Sequence, residues 1–385
     1  MYIEFIHVAK MYLNEEIFTM KYKVSYRNKQ ILYSYLDNSF VGFMENIKNY
    51  QQEKIDFVLA RDAIDIYHRC QDIGNTMYIL NEDKEALFKY RNYIAQIYYK
   101  RFEFNSDNDN ILEGERYNAG DSINGYVAAN MLFSAIISKD FKLAKKCSNI
   151  LYNLSDYDKR PCGQPYDFIS YVLKAWLNDD ATLLTENIER LKKFRAQKTC
   201  KMLFRYIIDI ILAINERDEN ELHRQMEELS KAYKKMVSHF SDEEKYFNRD
   251  AVALAIMAKK MGMNVTINTP VIPAELLDIT EIHYESLENI DFSISKEDFN
   301  TLCSLKIERM IKEAHTNIKI IKKHLEEDEE NREFHIELIN NQKNKIQSAK
   351  ILEETKKDIL KNWDNIGYLQ AINKISKWFL FGQNK

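Results

Sequence analysis

Residues 204–236 read FRYIIDIILAINERDENELHRQMEELSKAYKKM. From Phe204 to Ile214 the run is apolar on most sides of a helix. A short polar turn follows, Glu216-Arg217-Asp218. Beyond it Leu222, Met226, Leu229, Tyr233 and Met236 recur at helical steps. That spacing is the 3.6-residue period of a helix with one buried face. A helix apolar on most sides packs between neighbours, so the first of the pair is expected in an inner layer and the second in an outer one.

The same succession appears on either side. Phe168 to Leu177 is apolar, Asn178-Asp179-Asp180 makes a polar turn, and Leu184, Ile188 and Leu191 form a stripe. Ser138-Lys139-Asp140 precedes these, and Asn81-Glu82-Asp83 and a helix from Asp250 to Met261 repeat the pattern with looser spacing. Asp140, Asp180 and Asp218 lie about 40 residues apart, a period of paired-helix repeats. Each is placed to cap the next helix by accepting an orphan backbone N–H. Glu221, three residues after Asp218, completes a capping-box pattern. The expected fold is therefore all-α: stacked antiparallel helix pairs in a solenoid or tetratricopeptide-like array.

Composition agrees. The 385 residues include only 9 glycines and 4 prolines, too few for a turn-rich β fold. The net charge of −4 lacks the positive excess of a nucleic-acid binder, so no nucleic-acid partner is expected. Cys70, Cys147, Cys162, Cys200 and Cys303 are dispersed and odd in number, which suits small apolar residues in a reducing compartment better than a disulfide framework. The opening MYIEFIHVAKMYLNEE carries Glu4 and no cleavable apolar core, so no signal peptide is expected. Phe204–Ile214 is too short to span a bilayer. Arg205 and Asp209 within it stand i, i+4 and are expected to form a partly buried ion pair. A cytoplasmic location without membrane association follows as the expectation.

Three segments interrupt the helical pattern. Asn105–Asp121 reads as a polar surface loop, Tyr157–Pro165 as a turn, and Asn264–Ile294 as an irregular linker with β-prone residues. Ser295 with Asp298 then starts a long polar helix. The EEDEE run, Glu326 to Glu330, marks a break, so the segment to Lys361 reads as a helical hairpin. The chain divides accordingly into an N-terminal helical region (1–120), a helix-pair core (121–294) and a C-terminal hairpin extension (295–385), through which a homodimer is one expected arrangement.

No His-Glu-x-x-His, phosphate-binding glycine loop or nucleophile elbow is present. His315 and His324 are nine residues apart and do not share a helix face, and no convergent zinc ligands are visible. Hence no enzyme, metal or cofactor is expected. Arg61 and His68, seven residues apart on one helix face, match the loose R-x(4–6)-H pattern of the HEPN ribonucleases. That resemblance implies RNA cleavage at a dimer interface, and it supplies one alternative reading. Another is a peptide-binding scaffold, by architectural analogy with tetratricopeptide arrays.

Two acidic clusters stand out: Asp107, Asp109, Glu113 and Glu115, and Glu326, Glu327, Asp328, Glu329 and Glu330. They lack EF-hand spacing. Their functional use would be electrostatic complementarity to a basic partner surface.

The run from Arg205 to Leu277 resembles the core of the immunity protein 49 family of bacterial polymorphic toxin systems. A helix pair ending near His239 is followed by the apolar helix Ala251–Met261, then Gly262 and Val265, then Pro273, Leu276 and Leu277. Upstream, DSINGYVAANMLFSAIISKDF (Asp121–Phe141) is compatible with the family's earlier helix pair, so the resemblance spans about residues 120–277. It implies a binding protein that neutralises a cognate toxin, a nuclease being one candidate, by occlusion rather than catalysis. The two acidic clusters are then the candidate contact residues.

Overall fold

The computed structural model describes residues 39, 42–43, 60–107, 125–151, 165–236, 245–289, 296–327 and 331–363, some of them by backbone alone. Among these residues the regular structure is eleven α-helices and two 3₁₀ turns, without a strand. The all-α expectation is met, with consecutive helices packed as pairs. The helices are α1 Ala60–Asn81, α2 Lys84–Asp107, α3 Gly125–Ile137, α4 Phe141–Asn149, α5 Tyr166–Asn178, α6 Ala181–Arg195, α7 Met202–Glu216, α8 Glu219–Met236, α9 Arg249–Lys260, α10 Lys296–Glu327 and α11 Arg332–Lys361. They fall into two compact units. One holds α1–α9 and the segment to residue 289, and the other holds α10 and α11.

One turn geometry recurs through the first unit. Among the described residues four that are not glycine have positive φ, Glu82 (55°), Lys139 (65°), Asp179 (56°) and Arg217 (58°), and each directly precedes an aspartate. The left-handed residue ends one helix, and the aspartate N–H reaches back, as in Asp180 to Ala175 O and Asp218 to Ala213 O, both 3.0 Å. The aspartate side chain then caps the next helix. Asp83, Asp140, Asp180 and Asp218 accept from the backbone N–H three residues on, at 2.9–3.0 Å. Only half of the expected capping box forms. Glu221 turns its carboxylate to Arg224 and Gln225 instead of back to Asp218, and Arg224 holds it well below the usual carboxylate range, at about 2.

The layers follow from the stripes. Ile207, Ile208, Ile210, Ile211 and Ile214 of α7 are fully buried, whereas α8 buries Leu222, Met226, Leu229 and Tyr233 along one face. At the centre lies α3, buried at every residue except Tyr126 and packed against α2, α4, α5 and α9. Its first residue must be glycine, since a Cβ on Gly125 would stand 1.6 Å from Asp167 Oδ1. Helix α9 closes the unit by returning across the sequence to pack on α3 and α7.

Arg249 enters the core at the start of α9. Its Nε donates to Asp250 Oδ1 at 2.8 Å, and the Tyr166 hydroxyl donates to Asp250 Oδ2 at 3.0 Å. Burial works against the charge of Arg249, but the adjacent Asp250 carboxylate overrides it and holds the guanidinium pKa above its ordinary value.

Two further expectations are corrected. Asp209 does not pair with Arg205. It accepts both guanidinium arms of Arg195, at the end of α6, at 2.9 Å each. Arg205, near the start of α7, donates instead to the Cys200 carbonyl at 3.1 Å. A bidentate fork from a neighbouring helix is a better partner than an i, i+4 contact. The segment expected as a loop from Asn105 is helical over its first three residues, since α2 runs through Asp107, and the rest of it lies outside the described residues.

The segment expected as an irregular linker has, over its described residues to 289, no regular structure beyond the two 3₁₀ turns, and it packs onto the first unit as a strap. Met263, Val265 and Ile267 are buried and alternate with exposed residues, the period of extended chain. It forms no strand because side chains of α8 take its backbone donors. Asn264 N–H donates to Glu219 Oε1 at 2.7 Å and Thr266 N–H to His223 Nε2 at 3.0 Å.

In the second unit α10 and α11 run antiparallel, as the hairpin reading expects. The register is marked by Asn317 to Gln342 (3.3 Å), Lys356 to Ser304 (3.0 Å) and the Phe299 and Trp363 rings (5.0 Å). Cys303 is buried within it, which pushes its thiol up to about 12. Cys70, Cys147, Cys200 and Cys303 are free and buried, and Cys162 lies outside the described residues.

Candidate functional site

A cluster of polar side chains lies where the Lys139-Asp140 turn meets the strap. Glu82, Asp179 and Arg217 share the left-handed φ of Lys139 and are exposed, whereas Lys139 is buried. The ammonium donates to the Leu276 carbonyl and stands 4.8 Å from the centre of the Phe88 ring. Burial, reinforced by Lys259 and Lys84 and opposed by Asp278, pulls its pKa down to about 7. Asp278 is itself held below the ordinary carboxylate value by hydrogen bonds from Thr280.

Asp140 points the other way. Its Oδ1 accepts from Leu143 N–H at 2.9 Å and its Oδ2 from Asn92 Nδ2 at 3.2 Å. Asn92 and Gln96 are neighbours on one face of α2. Gln96 treats the strap as a strand would: its Nε2 donates to Glu285 O at 3.0 Å and its Oε1 accepts from Leu287 N–H at 2.9 Å. Ile282 N–H adds a third tether, to Lys139 O at 3.2 Å. Glu281 and His283, on either side of Ile282, therefore face Asp140. One ligand atom from each of Asp140, Glu281 and His283 lies within 4.8 Å of the others. His283 Nδ1 is 3.9 Å from Asp140 Oδ1.

Beside this group opens a cleft of about 220 Å³, lined by Gln96, Tyr99, Asp140, Lys146, Tyr284 and Leu287 among others. Lys146 Nζ lies 4.1 Å from the centre of the Tyr99 ring. Burial, with Asp140 and Glu85, raises the Tyr284 hydroxyl pKa above its ordinary value. The chemistry on offer is oxygen and imidazole donation to a cation.

The residues singled out from sequence are elsewhere. Glu326 is exposed in the last turn of α10. Asp107 and Glu327 end α2 and α10 and are described by backbone alone, and Asp109, Glu113, Glu115, Asp328, Glu329 and Glu330 lie outside the described residues. His68 is exposed on α1, its ring 5.0 Å from that of Tyr67. Arg61 belongs to the same helix by its backbone, its side chain being outside the description. His315 and His324 are both exposed, and the His324 ring faces His335 across the hairpin at 6.4 Å.

No convergent ligand set is visible in the sequence, yet folding assembles one. Asp140 reads there only as a cap, and Glu281 and His283 sit in the supposed linker. The signal that points to them is the i, i+2 spacing of Glu281 and His283 in a β-prone segment.

Of the residues that carry the family resemblance, Ala251 to Ala258 are buried, Gly262 ends α9 with φ 88°, and Val265, Leu276 and Leu277 are buried. Pro273 caps the 3₁₀ turn Ala274–Leu276, and His239 lies outside the described residues. No helix among the described residues is long and apolar enough to cross a membrane. Compared with known proteins, the chain matches no family model, no curated protein and no solved structure.

Proposed function

We propose that this chain is an immunity or antitoxin-like protein that binds a cognate toxin, a nuclease being one candidate, and neutralises it by occlusion. One observation carries the reading. Across the described residues of 120–277, the stretch that resembles the immunity family, helix pairs, the apolar helix α9 and the turn at Pro273 to Leu277 belong to one compact unit. Its apolar positions form the core, while the outer faces of α6 and α8 stay charged and exposed. Packed helix pairs give such faces a rigid backing, and tight neutralisation requires a shape-matched interface rather than a reaction.

The test is an affinity pull-down from the native cells with mass spectrometry of what is retained. The expected result is one stoichiometric protein, toxic when expressed alone and silenced by co-expression. Charge reversal of Glu326–Glu330 together with Asp107, Asp109, Glu113 and Glu115 is expected to slow association with a basic toxin. Absence of any retained protein, with RNA cleavage by the pure chain that is lost in His68→Ala, would replace this reading with the ribonuclease one.

A further inference from the structure

We propose that Asp140, Glu281 and His283 bind one divalent transition-metal ion, which fastens the strap at 278–289 to the start of α4. The distances suit such an ion. Metal–ligand bonds of about 2.0–2.2 Å place two donors on one ion roughly 3 to 4.4 Å apart. The three donor atoms already lie within 4.8 Å of one another, and His283 Nδ1 and Asp140 Oδ1 are 3.9 Å apart. Small side-chain rotations complete the approach.

The backbone holds the three in place by independent means. In extended chain, residues i and i+2 face the same side, which is how Glu281 and His283 both reach Asp140. The Ile282 N–H to Lys139 O bond sits between them, and Gln96 holds the strap further on. Asp140 is oriented by Leu143 N–H and Asn92 Nδ2, one on each oxygen, and each carboxylate oxygen keeps a lone pair for an ion.

Charge favours a cation. Two carboxylates and an imidazole face one another, while the neighbouring ammonium groups are engaged elsewhere: Lys139 with the Leu276 carbonyl and Phe88, Lys146 with the Tyr99 ring. One imidazole with two carboxylates suits Zn²⁺ or Mn²⁺ and not Mg²⁺, which prefers all-oxygen octahedra. Asp140 also lines the cleft, so remaining coordination positions have room for water.

The test uses the full chain, freed of metal with EDTA and titrated calorimetrically with Zn²⁺, with Mg²⁺ as the control. Saturable binding of one Zn²⁺ per chain is expected, together with slower hydrogen exchange at the Ile282 and Leu287 amides. His283→Ala and Glu281→Gln are each expected to weaken binding by about tenfold or more. Glu281 and His283 are exposed, so both variants should keep the parent's circular dichroism and metal-free melting temperature. His315→Ala should bind as the parent does. The proposal is overturned if Zn²⁺ does not saturate below about 100 µM, or if binding is unchanged in both strap variants.

Discussion

Arg249 and Asp250 stand side by side in the core, joined at 2.8 Å, with the Tyr166 hydroxyl on the other carboxylate oxygen. Removing one partner of such a pair strands the other. Asp250→Ala is therefore expected to cost about 3–5 kcal/mol, measured by urea denaturation; a loss below about 1 kcal/mol would contradict the pairing. Lys139 makes a prediction about pH. Its folded pKa is about 7, below the value near 10.4 of an unfolded lysine. Between the two the unfolded chain binds the extra proton, so stability rises with pH across that window, and the full burial cost is felt below it. Lys139→Met removes this dependence. Its urea midpoint should exceed the parent's most near pH 6 and least near pH 10. Parallel pH profiles would show that Lys139 carries its charge without cost.

At the scale of elements, the helix pairs depend on turns that use almost no glycine. A non-glycine residue in the left-handed region costs about 1–2 kcal/mol, offset in part by the extra freedom glycine has when unfolded. Adjacent substitutions in the α5–α6 turn should consequently act with opposite signs. Asp179→Gly is expected to stabilise by about 0.5 kcal/mol. Asp180→Ala removes the α6 cap on Leu183 N–H and is expected to destabilise by about 1 kcal/mol. Thermal melts of the two variants check this, and shifts in the same direction would contradict it. These elements were legible in the sequence because their causes are local: a cap, a stripe, a polar break. The strap was not, since its alternating burial is satisfied by α8 side chains in place of a partner strand. Arg205 was misassigned to Asp209 because the better donor, Arg195, comes from the preceding helix.

At the scale of the whole molecule, α3 is the hub of the first unit. Four helices cover it, and one of them, α9, arrives from far along the chain. Amides in a fully enclosed helix exchange only when the unit opens globally. Hydrogen exchange should thus be slowest in α3 and markedly slower there than in α6, whose outer face is exposed; equal rates would show that α3 opens locally. The helical class, the paired layers, the aspartate-capped turns and the hairpin from 296 to 361 follow from the order of residues alone. Each is written in contiguous residues, where spacing alone sets which face is buried. The packing of α9 on α3, the burial of Lys139 beneath the strap and the meeting of Asp140 with Glu281 and His283 come from the folded chain. Those contacts join residues more than a hundred positions apart, and no periodicity encodes them. They form because burying the apolar sides of α9 and the strap brings distant polar groups to one place.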